Sequence, residues 1–171
     1  HRTNGFGLSW TNPGQGVAAP IVASQYRVTG DSFDSGVRGN VAPGKLDGVL
    51  VPRSGEFKVT VWLVDAAGNT SEFNSAASTL RLDSVPPSGY LIEPDAERPE
   101  IIRAAVSDAH SGVSAGRIGV RRIGGGDWID LPTQAGEAGE VWARFPSDEL
   151  EAGRYSVRLR VTDVAGTGFE T

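Results

Sequence analysis

Gly55-Glu56-Phe57-Lys58-Val59-Thr60-Val61-Trp62-Leu63-Val64-Asp65-Ala66-Ala67-Gly68 returns later in the chain as Gly153-Arg154-Tyr155-Ser156-Val157-Arg158-Leu159-Arg160-Val161-Thr162-Asp163-Val164-Ala165-Gly166. The offset, 153 − 55, is 98 residues. Two further pairs follow the same order. Phe6–Trp10 matches Ile102–Val106, and Gly16-Val17-Ala18-Ala19 matches Gly112-Val113-Ser114-Ala115, both 96 residues apart. A repeat near 100 residues is too long for a solenoid and fits one whole small β-sandwich domain. The chain of 171 residues therefore reads as two domains.

Within the repeated stretch the apolar residues alternate. Phe57, Val59, Val61 and Leu63 share one phase, and Lys58, Thr60, Trp62 and Val64 share the other. In the second copy Tyr155, Val157, Leu159 and Val161 alternate with Ser156, Arg158, Arg160 and Thr162. Period two is the pattern of a half-buried antiparallel strand. No stretch sustains a 3.6-residue period, so the spacing predicts an all-β protein of two tandem antiparallel sandwiches with minimal helix. The 23 glycines and 10 prolines suit many turns between short strands. Gly124-Gly125-Gly126 reads as a hairpin turn; no helix follows to make it a phosphate loop. Leu82-Asp83-Ser84-Val85-Pro86-Pro87-Ser88 reads as a short stiff linker, dividing the chain into domains 1–84 and 85–171.

The repeated pattern, ending in Asp-x-Ala-Gly, resembles the penultimate strand and turn of bacterial immunoglobulin-like and fibronectin type III-like modules, tandem segments of large secreted or surface proteins. Asn69 completes the familiar ending in the first copy and Thr167 replaces it in the second. Leu150-x-x-Gly153-x-Tyr155 resembles the tyrosine corner that opens that strand. Phe57 lacks the hydroxyl, so the first copy must satisfy its backbone otherwise. Set against two complete modules, the first domain has a first strand that is short or missing, and the second a last strand that is short or missing. An open edge on the second domain invites strand pairing with another chain.

The resemblance implies a non-catalytic structural or interaction module, a spacer or adhesion-type segment of a larger extracellular bacterial protein, secreted or at the cell surface. The alternative is an ancillary carbohydrate-binding module of a secreted hydrolase. For that role Trp62, in the outer phase, is the candidate stacking platform; the competing reading has it shielding its own sheet against Tyr26 or Arg27. Trp10 shares the phase of Phe6 and Leu8 and reads as core, whereas the phases of Trp128 and Trp142 stay open.

Composition narrows the chemistry. A net charge of −5 argues against nucleic acid. The absence of Cys excludes disulfides, zinc-thiolate sites and thiol nucleophiles. No apolar run is long enough to insert in a membrane. With no Met, the chain reads as a piece of something longer. His1 and His110 are the only imidazoles, and no nucleophile, metalloprotease or phosphate-binding motif accompanies them. No catalytic, cofactor-binding or metal residue is assigned on this basis, and no protein or glycan partner is identified. One further possibility comes from topology. Loops after the second and penultimate strands of such a sandwich share a pole, which brings Asp108 and Asp163 together where the linker delivers Asp83. These three carboxylates at the interdomain joint suit Ca2+, a hard cation that takes oxygen ligands. The competing reading leaves Asp65 and Asp163 as turn carboxylates that accept backbone N–H bonds.

Overall fold

The computed structural model describes residues 1–171 except Ala138. The described residues contain no helix. They form two compact units, His1–Asp83 and Ser84–Thr171.

The first unit has seven strands: β1 (Phe6–Ser9), β2 (Ile21–Gly30), β3 (Phe33–Asp34), β4 (Arg38–Asn40), β5 (Lys45–Val49), β6 (Gly55–Asp65) and β7 (Thr70–Leu82). One sheet has only β1 and β5; the other runs β3-β2-β6-β7, with β4 also paired to β2. Residues 1–5 carry no strand. There the Asn4 side-chain amide imitates a backbone partner: its Nδ2 donates to the Val51 carbonyl at 2.7 Å and its Oδ1 accepts from the Val51 N–H at 3.0 Å. The core gathers the inward phases of both sheets, among them Phe6, Val28, Leu46, Phe57, Val59 and Leu80.

The second unit has eight: β8 (Ser88–Leu91), β9 (Ile101–Ser107), β10 (Val113–Arg122), β11 (Ile129–Asp130), β12 (Thr133–Ala135), β13 (Glu140–Arg144), β14 (Tyr155–Asp163) and β15 (Gly168–Glu170). The sheets run β8-β9-β13-β12 and β11-β10-β14-β15. In chain order these are strands A-B-E-D against C′-C-F-G, the immunoglobulin and fibronectin type III arrangement. Ile118, Val120, Leu159 and Val161 form the centre of its core. The Tyr155 hydroxyl donates to the Glu151 carbonyl at 2.8 Å, which is the tyrosine corner read from the sequence. At the sister position Phe57 meets Phe33 edge-on, with centroids 5.8 Å apart, and the Arg53 guanidinium lies over its ring.

The sister relation holds for the central strands β1, β2, β5 and β6 against β9, β10, β13 and β14, with one correction. Trp10 N–H donates to the Gly44 carbonyl as Val106 N–H donates to that of Gly139, which confirms the offset of 96 for β1 and β9. The expected match of Val17 with Val113 fails. Ile21 pairs with Asp65 and Val113 with Asp163, so Ile21 is the residue equivalent to Val113. Val17 is fully exposed in the loop ahead of β2. The triglycine does turn the chain between β10 and β11, with φ of 102°, 151° and 96° at Gly124, Gly125 and Gly126.

Candidate functional site

The two copies of the Asp-x-Ala-Gly turn close alike. The backbone exchanges Asp65 N–H to the Asn69 carbonyl and Gly68 N–H to the Asp65 carbonyl; Asp163, Thr167 and Gly166 repeat this. Gly68 and Gly166 take φ of 82° and 85°, a region open to glycine. Asp65 Oδ1 accepts from the N–H of Ala67 and Asn69, and its Oδ2 from Asn69 Nδ2 at 2.9 Å. Hydrogen bonds from the Asn69 side chain, then from the Asn69 backbone, hold the Asp65 carboxyl below its usual range despite some desolvation. A carboxyl lowered by folding contributes stability above the unfolded value near 4, and that contribution is lost as pH falls through the folded value. Denaturant midpoints of the first unit are therefore expected to drop below about pH 4. Asp65→Asn is expected to flatten that dependence; an unchanged acid slope would refute the assignment.

In the second unit the same turn joins a further carboxylate. Asp163 is buried; its Oδ1 accepts from Thr167 N–H at 2.8 Å and its Oδ2 from Thr167 Oγ1. Asp108 follows β9 and organises the next loop, its Oδ1 accepting from His110 N–H at 3.0 Å and Gly112 N–H at 2.7 Å. The two loops are tied by Val164 N–H to the Gly112 carbonyl at 2.9 Å and Ala165 N–H to Ser111 Oγ at 3.2 Å. Asp108 Oδ2 is buried and has no hydrogen-bond partner. A buried carboxylate oxygen without a partner is costly. Asp83, the last residue of the first unit, is also buried. Within the second unit, one oxygen of Asp108 lies within 4.8 Å of one oxygen of Asp163. Of the three residues named from topology, Asp108 and Asp163 thus share one pole of the second unit, and Asp83 is the last residue of the first unit. His110 is exposed and contributes its backbone N–H to this loop.

The tryptophans sort differently from the expectation. Trp10 is half-buried and packs against the first core, as its phase predicts. Trp62 alternates with Val61 and Leu63 and stays outside that core, yet it is only 3% exposed. Its indole N–H donates at 2.8 Å to Gln25 Oε1, its neighbour across β2 and β6, and Gln25 Oε1 also takes Thr70 Oγ1 at 3.3 Å. The outer face offers no stacking platform at Trp62, and the polar partner is Gln25 rather than Tyr26 or Arg27. Trp128 is held between guanidiniums, with Arg121 4.8 Å and Arg158 4.4 Å from its ring. Asp130 anchors this face through Arg160 at 2.6 Å and Arg158 at 3.3 Å, and the Arg160 bond holds its carboxyl low. Of the adjacent pair Arg121-Arg122, Arg121 thus covers an indole and Arg122 pairs with Glu151. Cation–π stacking of this kind is a property of packing that no strand periodicity announces.

No family model matches the chain, and no curated relative does. Solved structures similar to it include fibronectin(III)-like modules of Clostridium thermocellum CbhA, 11% identical over 99% of this chain and 83% of that one, with a TM-score of 0.42. Another is the tetra-tandem repeat in the extending region of a large adhesion protein, 15% identical over 90% of this chain and 41% of that one, with a TM-score of 0.41. A third is the human Desmocollin-1 ectodomain, 15% identical over 86% of this chain and 28% of that one, with a TM-score of 0.33.

Proposed function

We propose that the chain is a non-catalytic structural and interaction module, a spacer or adhesion-type segment of a larger extracellular bacterial protein. The observation that carries this reading is the making of one β-sandwich twice in series, each copy around its own core. Such units fold and yield independently, so a chain of them sets reach. Pulling on the ends of the full chain is expected to give two unfolding steps. The units of 83 and 88 residues should each release roughly 270–320 Å of extended chain. A single step of the summed length, or extension with no resisting step, would overturn the spacer reading. The carbohydrate-binding alternative has its expected platform at Trp62, and that indole is covered.

The same reading includes calcium. Asp108 and Asp163 would hold the ion in the second unit, helped by backbone carbonyls or water, since calcium takes six to eight oxygens. Two features support it: the buried Asp108 Oδ2 without a hydrogen bond, and the acidic oxygens of Asp108 and Asp163 close enough to repel one another. A divalent cation answers both. At a calcium concentration about 100-fold above Kd, the melting temperature of the second unit is expected to rise by roughly 10 °C over the chelated protein. Asp108→Asn is expected to erase that difference. Identical melts in calcium and chelator would remove calcium from the account.

A further inference from the structure

The outer face of the sheet β11-β10-β14-β15 carries a row of arginines. Ile118, Val120, Leu159 and Val161 point into the core. The alternate residues therefore stand on the other side: Arg117, Gly119 and Arg121 of β10, and Arg158 and Arg160 of β14. Two carboxylates meet them there. Asp130 pairs with Arg158 and Arg160, and Glu170 reaches Arg158 at 3.6 Å. Among the described residues no carboxylate pairs with Arg117 or Arg121. Both are exposed, and both stand on β10, which has a strand of the same unit on each side.

Arg117 lies directly opposite Arg160. Like charges so placed repel. In the first unit the equivalent pair is Gln25 opposite Trp62, joined by a hydrogen bond of 2.8 Å, so the fold itself does not call for arginines there. Gly119 leaves the middle of the row bare: a Cβ there would come within 3.3 Å of Arg158 Nε and 3.1 Å of Asp130 Oδ1. Arg158 fills that gap, its Nε buried without a hydrogen-bond partner and its guanidinium 4.4 Å from the Trp128 ring centre. The same indole supports Arg121, 4.8 Å from its centre. Arg121 is thus fixed in place by its stem and ring contact, and its charge is left unanswered by any acid of the unit.

We propose that this face binds an anionic polysaccharide, of the class that carries a carboxylate on alternate sugars, with Arg117 and Arg121 as the main contacts and Arg160 beside them. Charge complementarity selects the ligand. A guanidinium takes a carboxylate through two parallel N–H bonds, and this row is set against the sign of a chain whose net charge is −5. The centre of the face is charged and its indole is already covered by guanidiniums, so a protein partner finds no apolar anchor. Arg117 and Arg121 are four residues apart, about 13 Å along the strand. Duplex nucleic acid, with one charge per about 1.7 Å, is far too dense for so sparse a row on an acidic molecule. A polysaccharide with an acid on every second sugar spaces its charges on the scale of the row. Recognition here is by charge, separate from the stacking once expected of Trp62. It goes beyond the spacer reading and needs no calcium.

The test uses the full chain and, as probe, hyaluronan oligosaccharides, whose carboxylates fall on alternate sugars. At low salt, spectra of the isotope-labelled protein are expected to show saturable shifts at the amides of Arg117, Gly119 and Arg121 and at the Trp128 indole N–H. Affinity should fall as salt rises, as counterion release from a polyanion requires. Arg117→Gln combined with Arg121→Gln is expected to weaken binding by about tenfold or more and to flatten the salt dependence. Arg117→Gln alone should leave the urea midpoint of the second unit unchanged or raise it, since it removes the repulsion from Arg160. A lowered midpoint would make Arg117 a structural residue and overturn the proposal. So would no saturable shift, shifts away from this face, or unchanged affinity in the double variant. Binding of uncharged dextran, polyglutamate or single-stranded DNA as tightly as hyaluronan would overturn the choice of ligand.

Discussion

Leu159→Ala is expected to cost the second unit about 3–5 kcal/mol, whereas the sister change Val61→Ala costs the first about 1 kcal/mol. Leu159 is completely buried, opposite Ile118 on the paired strand β10 and beneath Gly89. Its truncation leaves a cavity that a β-sandwich held from both sides cannot close. Val61 occupies the same place on the penultimate strand but is only half-buried, lining an open groove between β1 and β7, so its truncation leaves no enclosed cavity. A small domain has on the order of 5–10 kcal/mol in total, so the Leu159 variant brings the second unit near unfolding at ambient temperature. Amide exchange, which reads each unit separately, checks both changes. Equal losses in the two units would mean that the half-buried position of Val61 has no energetic consequence.

Trp62→Ala is expected to cost the first unit about 3 kcal/mol, and Trp62→Phe about 1 kcal/mol. The indole is almost wholly covered although it stands on the sheet face away from the core. Most of its contribution is thus buried area, which phenylalanine largely retains. The smaller part is the hydrogen bond to Gln25, which phenylalanine loses. Denaturant titration of the first unit separates the two. If Trp62→Ala changed stability by no more than an ordinary surface substitution, the ring would be available for binding and the carbohydrate reading would revive.

How far the sequence carries the fold can be judged from these residues. The period-two stretches around Val59 and Leu159 placed the penultimate strands and their inward faces, and Tyr155 announced its own hydrogen bond. Glycine matches did not fix register. Gly16 and Gly112 both lie in loops, and the span from Trp10 to Ile21 is four residues longer than that from Val106 to Val113. Loops absorb such insertions without disturbing the strands they join. Strand phase also gave the direction of Trp62 without its exposure, because neighbours on the same face decide how much of a large ring water can reach. Among the carboxylates, topology brought Asp108 and Asp163 to one pole. The unpaired Asp108 Oδ2 became visible only once each hydrogen bond of the loop could be assigned.

The triglycine between β10 and β11 gives the protein a practical handle. Exposed tips of this kind accept added residues more readily than any other part of a domain. The chain contains no thiol of its own. A single cysteine inserted between Gly124 and Gly126 would therefore offer one address for a dye, a bead or a surface, leaving both apolar interiors untouched.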